Sequence, residues 1–243
     1  MSISWVQTLW FAKLADQAYE NILPPELTVG YQAELKTSKG TELWILTNAE
    51  SVVLIYRGTE MSAQDIIDDL DTTLVDFKDY GKVHQGFLTA VGRISFLALM
   101  KERNPNKEKT IYCVGHSLGG ALATLAGIRL LDTGYKVGGI YTFGCPAIGD
   151  PKFCATWTAK GIENYNCRFR VNNDVISLLP SIGYSQLGKQ IFINRRGKAE
   201  IKSANWMRVI DRLPFWILLP FSSHRMAHYI SAIQALSDSN QTL

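Results

Sequence analysis

Thr110-Ile111-Tyr112-Cys113-Val114 runs directly into Gly115-His116-Ser117-Leu118-Gly119-Gly120-Ala121, and the reading of this stretch decides the fold. The first five residues are a compact apolar run of strand length. The residues from Leu118 to Leu131 are apolar nearly all round, as in a helix buried on several sides. Between them lies G-x-S-x-G, a glycine-flanked serine at a strand-to-helix turn. A serine held in so tight a turn presents its hydroxyl outward, and the small Gly115 and Gly119 let neighbouring backbone close in. The helix that follows points its N-terminus, with free N–H groups, at the same spot and favours negative charge there. A G-x-S-x-G motif alone is also compatible with a plain glycine-rich turn. The strand before it and the helix after it favour a nucleophile at Ser117.

Working outward, strands and helices alternate. Ile3–Ala18 reads as a helix. Strands are expected at Tyr31–Leu35, Leu43–Thr47 and Val52–Tyr56, with a turn at Ser38-Lys39-Gly40. One helix is expected over Gln85–Lys101, ending near Asn104-Pro105. A strand at Gly138–Phe143 precedes a helix whose start is marked by Asp150 as cap and Pro151 in the first turn. Strands at Cys167–Val171 and Gln190–Asn194 follow, then a last helix from Arg225 to Leu236. This alternation predicts a mostly parallel central sheet, helices on both faces, and antiparallel strands at the edge; with the serine turn between strand and helix, the expected fold is that of an α/β-hydrolase. The 243 residues suffice for one such domain, spanning 1–243.

Composition narrows the class. Apolar residues make up 47% and charged residues 19%, which excludes a disordered chain. Lys plus Arg number 25 against 22 acids, a net charge of +3, too small an excess to suggest a nucleic-acid partner. The most apolar run, Leu213–Phe221, is too short to span a bilayer and is broken by Pro214 and Pro220. Met1–Glu20 lacks the basic start, apolar stretch and cleavage site of a leader. The expected location is therefore the cytoplasm, with export by a leaderless route left open. Cys113 and Cys145 fall in expected buried strands; whether Cys154 and Cys167 pair stays open.

Further blocks carry a resemblance. Tyr56-Arg57-Gly58-Thr59, Val83-His84-Gln85-Gly86-Phe87, the serine turn, Thr142-Phe143-Gly144-Cys145-Pro146-Ala147-Ile148-Gly149-Asp150 and Arg170-Val171-Asn172-Asn173-Asp174-Val175 follow one another in the order seen in the class 3 lipases. The chain resembles that family, which includes the fungal triacylglycerol lipases, from about Tyr56 to Tyr229. The resemblance implies hydrolysis of carboxylic esters of lipids through a Ser-Asp-His triad and an acyl-enzyme, with no metal or organic cofactor.

A serine hydroxyl needs a base to take its proton and an acid to orient that base, in the chain order serine, acid, histidine. Asp174 follows a strand and matches the family's acid, although Asn172-Asn173-Asp174 also reads as a turn. Of four histidines only His224 and His228 follow Asp174. His224 precedes the last helix, and His-x-Met-x-x-Tyr resembles the family's catalytic block, so His224 is the expected base. Members often carry an acid just before it, where this chain has Ser223. The oxyanion donors are expected to be the Leu118 N–H and, by resemblance, Thr59. His84 reads equally as a brace for the Ser117 loop or as a structural histidine. Asp65, Asp68, Asp69 and Asp71 fit no calcium loop and read as a solvated helix face.

Two stretches compete as a lid over the substrate: Glu60–Leu74, which the family places there, and Leu213–Phe221, which could equally wall an acyl pocket or touch a lipid–water interface. A lipid esterase, a soluble short-chain carboxylesterase or thioesterase, and a silent lipid-binding protein all fit the fold. The intact Ser117, Asp174 and His224 weigh against the last.

Overall fold

The computed structural model describes residues 3–58, 73–172, 174, 176–180, 182–203 and 224–239. Its centre is an eight-stranded sheet in the order β1-β2-β3-β6-β7-β8-β9-β10. The strands are β1 (Gln32–Ser38), β2 (Thr41–Thr47), β3 (Ser51–Tyr56), β6 (Thr110–His116), β7 (Val137–Phe143), β8 (Asn166–Val171), β9 (Lys189–Ile193) and β10 (Ala199–Ser203). From β3 to β9 neighbours run parallel. At one edge β1, β2 and β3 pair antiparallel through short turns, as the sequence predicts. At the other edge β10 folds back antiparallel on β9. This polar strand has no counterpart among the sequence expectations.

Both sheet faces are covered because the strands carry apolar side chains on both sides. Alternate residues of β3 go opposite ways: Val52, Leu54 and Tyr56 into one core, Val53 and Ile55 into the other. The first core is roofed by α2 (Gln85–Gly92), α3 (Phe96–Arg103), α4 (Leu118–Asp132) and α5 (Pro151–Ala159), through Phe87, Phe96, Leu125 and Trp157. The second is closed by α1 (Trp5–Gln17) and α6 (Met226–Asp238), through Phe11, Leu14, Tyr229 and Ile233. Phe11 and Leu14 are fully buried. Truncating either to alanine costs about 2–5 kcal/mol.

Caps form where their residues stand. The Asp150 side chain accepts from the Phe153 N–H at 2.7 Å, with Pro151 opening α5. The Ser4 side chain accepts from the Gln7 N–H at the start of α1.

The single helix expected over Gln85–Lys101 is two. α2 stops at Gly92 and α3 starts after Ser95, because the connecting Ile94 turns into the core and Arg93 reaches out to the Lys39 carbonyl at 2.7 Å. A hairpin of β4 (Leu74–Phe77) and β5 (Gly81–His84) also forms a small sheet of its own. Lys78 Nζ and the Tyr80 hydroxyl both bond Asp132 at 2.7 Å and tie the hairpin turn to the end of α4. None of the helices formed by described residues is long and apolar enough to cross a membrane. None of the four cysteines forms a disulfide. Burial pushes the Cys113, Cys145 and Cys167 thiols up to about 12, so they remain protonated.

Candidate active site

The parallel strands β3, β6, β7 and β8 end on one edge of the sheet, where open α/β sheets carry their sites. Ser117 stands between β6 and α4 with φ 54° and ψ −127°, backbone that a non-glycine residue seldom adopts. The turn is sterically locked. A Cβ on Gly115 would come within 2.2 Å of the Gly119 carbonyl, and one on Gly119 within 2.2 Å of the Tyr56 oxygen. The Ser117 N–H is tied to the Phe143 carbonyl of β7 at 2.9 Å. Ser117 is the first residue before α4, yet its side chain does not cap the helix. Its buried Oγ has no hydrogen-bond partner among the described residues.

Asp174 follows β8. Asn172, at φ 48°, turns the chain there, and its N–H holds the Ile193 carbonyl at 2.9 Å. The Asp174 carboxylate is almost fully buried and saturated with donors. His224 Nδ1 lies 3.0 Å from both oxygens, the Ile176 N–H donates to Oδ1 at 3.0 Å, and the Tyr229 hydroxyl donates to Oδ2. Burial is the largest influence on this carboxyl and opposes ionisation. The charge and hydrogen bond of His224, the Tyr229 hydroxyl and His116 together outweigh it, and Asp174 ionises below the usual carboxylate range. An ionised carboxylate only accepts, so His224 Nδ1 carries the proton and Nε2 presents a lone pair. That Nε2 is buried and has no partner among the described residues. No hydrogen bond joins it to Ser117 Oγ in this structure.

His224 begins the turn into α6, while His228 sits one helical turn later and is exposed. The structure therefore gathers Asp174 and His224 and leaves His228 outside. Gly144, at φ 61°, lies against the pair: a Cβ there would meet Asp174 Oδ2 at 2.6 Å and His224 Nδ1 at 2.9 Å. Only glycine fits this conformation and this space.

Leu118 opens α4 next to Ser117. Thr59, the other expected oxyanion donor, lies outside the described residues, as do Asp65, Asp68, Asp69 and Asp71, nearly all of Glu60–Leu74, and the whole of Leu213–Phe221. Among the described residues no three His, Cys, Asp or Glu side chains are placed to hold a metal ion. His84 takes a structural role: its Nδ1 accepts from the Phe87 N–H at the start of α2, and its ring stacks on Phe87 at 4.0 Å.

Three residues that the sequence reading left unassigned shape this site. Tyr229 holds Asp174. His116 contacts the His224 main chain. Arg168, buried in β8, donates to the Cys145 carbonyl at 3.0 Å, the Ser177 carbonyl at 2.8 Å, Gln190 Oε1 at 3.3 Å and Gln186 Oε1. It stitches the segment after β7 to the one that bears Asp174. Ser177 Oγ adds a bond to the Asp174 carbonyl at 2.7 Å. An arginine inside an apolar strand was the one visible signal for this role.

Known proteins resemble this chain in sequence and in fold. The secreted mono- and diacylglycerol lipase A of Penicillium cyclopium is 35% identical over 111 residues, 45% of this chain and 34% of that protein. Phospholipase A1-II 1 of Oryza sativa subsp. indica is 25% identical over 185 residues, 65% of this chain and 46% of that protein. The chain thus spans a third to a half of the length of these relatives. The structure of lipase II from Rhizopus niveus superposes with a TM-score of 0.74 at 22% identity, covering 92% of this chain and 94% of that one, and shows the α/β-hydrolase fold.

The cytoplasmic expectation is corrected here, since the Penicillium relative is by name a secreted enzyme. Trp5–Gln17 is a folded helix with Phe11 and Leu14 in the core, and it carries no information on compartment. The family model described as Lipase (class 3) matches residues 53–184, from β3 through the serine turn to beyond Asp174. Matching over more than half its length, and with the fold to go with it, this chain belongs to the class 3 lipase family.

Proposed function

We propose that this protein hydrolyses carboxylic esters of lipids, with Ser117 as nucleophile, His224 as base and Asp174 as the acid that orients it. One observation carries the reading. A buried, ionised Asp174 fixes the tautomer of His224, and both His224 Nε2 and Ser117 Oγ are left without hydrogen-bond partners among the described residues. A buried polar atom without a partner calls for an explanation, and a nucleophile and its base supply one for these two.

His224 takes the Ser117 proton as Oγ attacks the ester carbonyl. Asp174 stabilises the imidazolium. The Leu118 N–H, at the positive end of α4, and Thr59 receive the oxyanion. The alcohol leaves with the proton from His224, and water releases the acid by the same steps. The relatives named for mono- and diacylglycerol and phospholipid cleavage support lipid over short-chain substrates.

The test is hydrolysis of p-nitrophenyl esters of rising chain length by the wild type and Ser117→Ala. The variant is expected to fold normally and to lose on the order of 10⁴–10⁶-fold in kcat. Activity that rises with chain length fits a lipid esterase. Activity confined to short chains would replace it with a soluble esterase, and an active Ser117→Ala would remove the nucleophile.

A further inference from the structure

We infer that His116 is a positioning residue that ties the main chain of the base to the elbow of the nucleophile, with Tyr19 fixing its tautomer. This rests on the reading of His224 as base. His116 is the last residue of β6 and is bonded covalently to Ser117. Its Nε2 lies 2.7 Å from the His224 carbonyl, and its Nδ1 lies 2.9 Å from the Tyr19 hydroxyl. A carbonyl only accepts, so Nε2 carries the proton. Nδ1 is then an acceptor and takes the Tyr19 hydroxyl proton. The neutral Nε2–H tautomer satisfies both contacts at once.

His224 needs this hold. The strands fix Ser117 and Asp174 directly, but His224 comes from a turn beyond the sheet. Asp174 grips its ring at Nδ1 and leaves the ring free to swing about that bond. A second grip on the main-chain carbonyl removes that freedom and refers the base to Ser117 across a single residue. Misplacement of a reacting group by about 1 Å costs on the order of 10²-fold in rate.

His116 also has to stay uncharged, because its ring centroid is 4.6 Å from that of His224, which becomes a cation during the reaction. The groups facing it are Tyr19 beyond α1, His224 and Tyr229 from the C-terminal segment, and Asp174 after β8. Arg57 lies across the Tyr19 ring, 5.8 Å from its centroid. Burial first, and the proximity of His224 second, hold the His116 imidazole down at about 3. It therefore remains neutral wherever His224 acts.

The experiment compares kcat, KM and pH profile on a soluble ester for the wild type, His116→Phe, His116→Gln, Tyr19→Phe and Ser117→Ala. Phe keeps a ring of similar size without the donor, and kcat is expected to fall about 10–100-fold with KM within about twofold. Gln restores a donor toward the His224 carbonyl and should recover kcat to within about threefold of wild type without moving the acid limb of kcat/KM. Tyr19→Phe, which leaves the elbow sequence intact, should lower kcat about fivefold at constant KM, and it carries the test if His116→Phe does not fold. Wild-type kcat in His116→Phe, or in Tyr19→Phe, overturns the inference. So does a Gln variant as impaired as Phe, which would make His116 mere packing. Ser117→Ala separates the levels: if it stays active, the function from which this inference starts has failed instead.

Discussion

Acidification should expose His116 as a stability switch before Asp174 titrates. An unfolded chain binds a proton on this imidazole near pH 6.5, whereas the folded one resists until about 3. The folded pKa is depressed, so between those limits the unfolded state holds more protons. Stability is then full above about pH 6.5 and falls as pH drops toward the folded value. From pH 7 to 4.5 the imidazole contributes roughly two pKa units, a loss of about 2–3 kcal/mol. The residue is 7% exposed, so solvent screening does little to reduce this. Asp174 has the same sign but a lower window: its depressed carboxyl stabilises the fold above its unfolded value, near pH 4, and that part is lost only below it. Stopping at pH 4.5 keeps the two apart. The assay is urea unfolding of the wild type and His116→Gln at pH 7, 6, 5 and 4.5. The wild type should lose about 2–3 kcal/mol more than the variant over that range. Parallel curves would refute a neutral buried His116, and a wild type that gains stability on acidification would mean that the folded imidazole is charged.

Two other outcomes follow from the same region. His224→Ala should lower kcat at least about 10³-fold, while His228→Ala, at an exposed position, should stay within about twofold; the reverse ranking on an ester assay would move the base to His228. Tyr229→Phe removes one donor from a buried carboxylate and should cost about 1–3 kcal/mol by thermal or urea unfolding. It should also shift acid inactivation to higher pH, because the Tyr229 hydroxyl is one of the groups that hold the Asp174 pKa down; unchanged stability and acid limb would show that the bond carries no weight.

Much of this was legible in the chain because it depends on local pattern. The serine turn is written in Gly115 and Gly119, and neither of those glycines has room for a Cβ. The start of α5 is written in Asp150-Pro151 and forms as expected. What escaped depends on distant partners. The β4–β5 hairpin has four-residue strands with exposed Asp76 and Lys82, too short for alternation to register; it is held by Asp132 of α4. The break between α2 and α3 comes from Ile94 turning inward, which apolar periodicity cannot separate from a continuous helix. The role of His116 is not written in local pattern, since its partners Tyr19 and His224 lie 97 and 108 residues away in sequence.

Arg168 shows how far the site is arranged for one buried charge. A guanidinium in a strand interior is expensive to bury, and its affinity for its proton is lowered mainly by desolvation. No carboxylate bonds it among the described residues; instead four neutral oxygens take its N–H groups. Its charge therefore stays uncancelled at close range and acts at longer range on Asp174. The carboxylate of Asp174 in turn favours the charged guanidinium, so each ion lowers the cost of burying the other. Were Arg168 paired directly with Asp174, the carboxylate would be less available to His224. By directing Arg168 to carbonyls and glutamines, the fold leaves both Asp174 oxygens to His224, Tyr229 and the Ile176 N–H. The same bonds pin the segment that bears Asp174 to the one that follows β7. Arg168 therefore acts first by position: removing it would take a donor from two buried carbonyls and two glutamine oxygens and loosen the segment that bears Asp174.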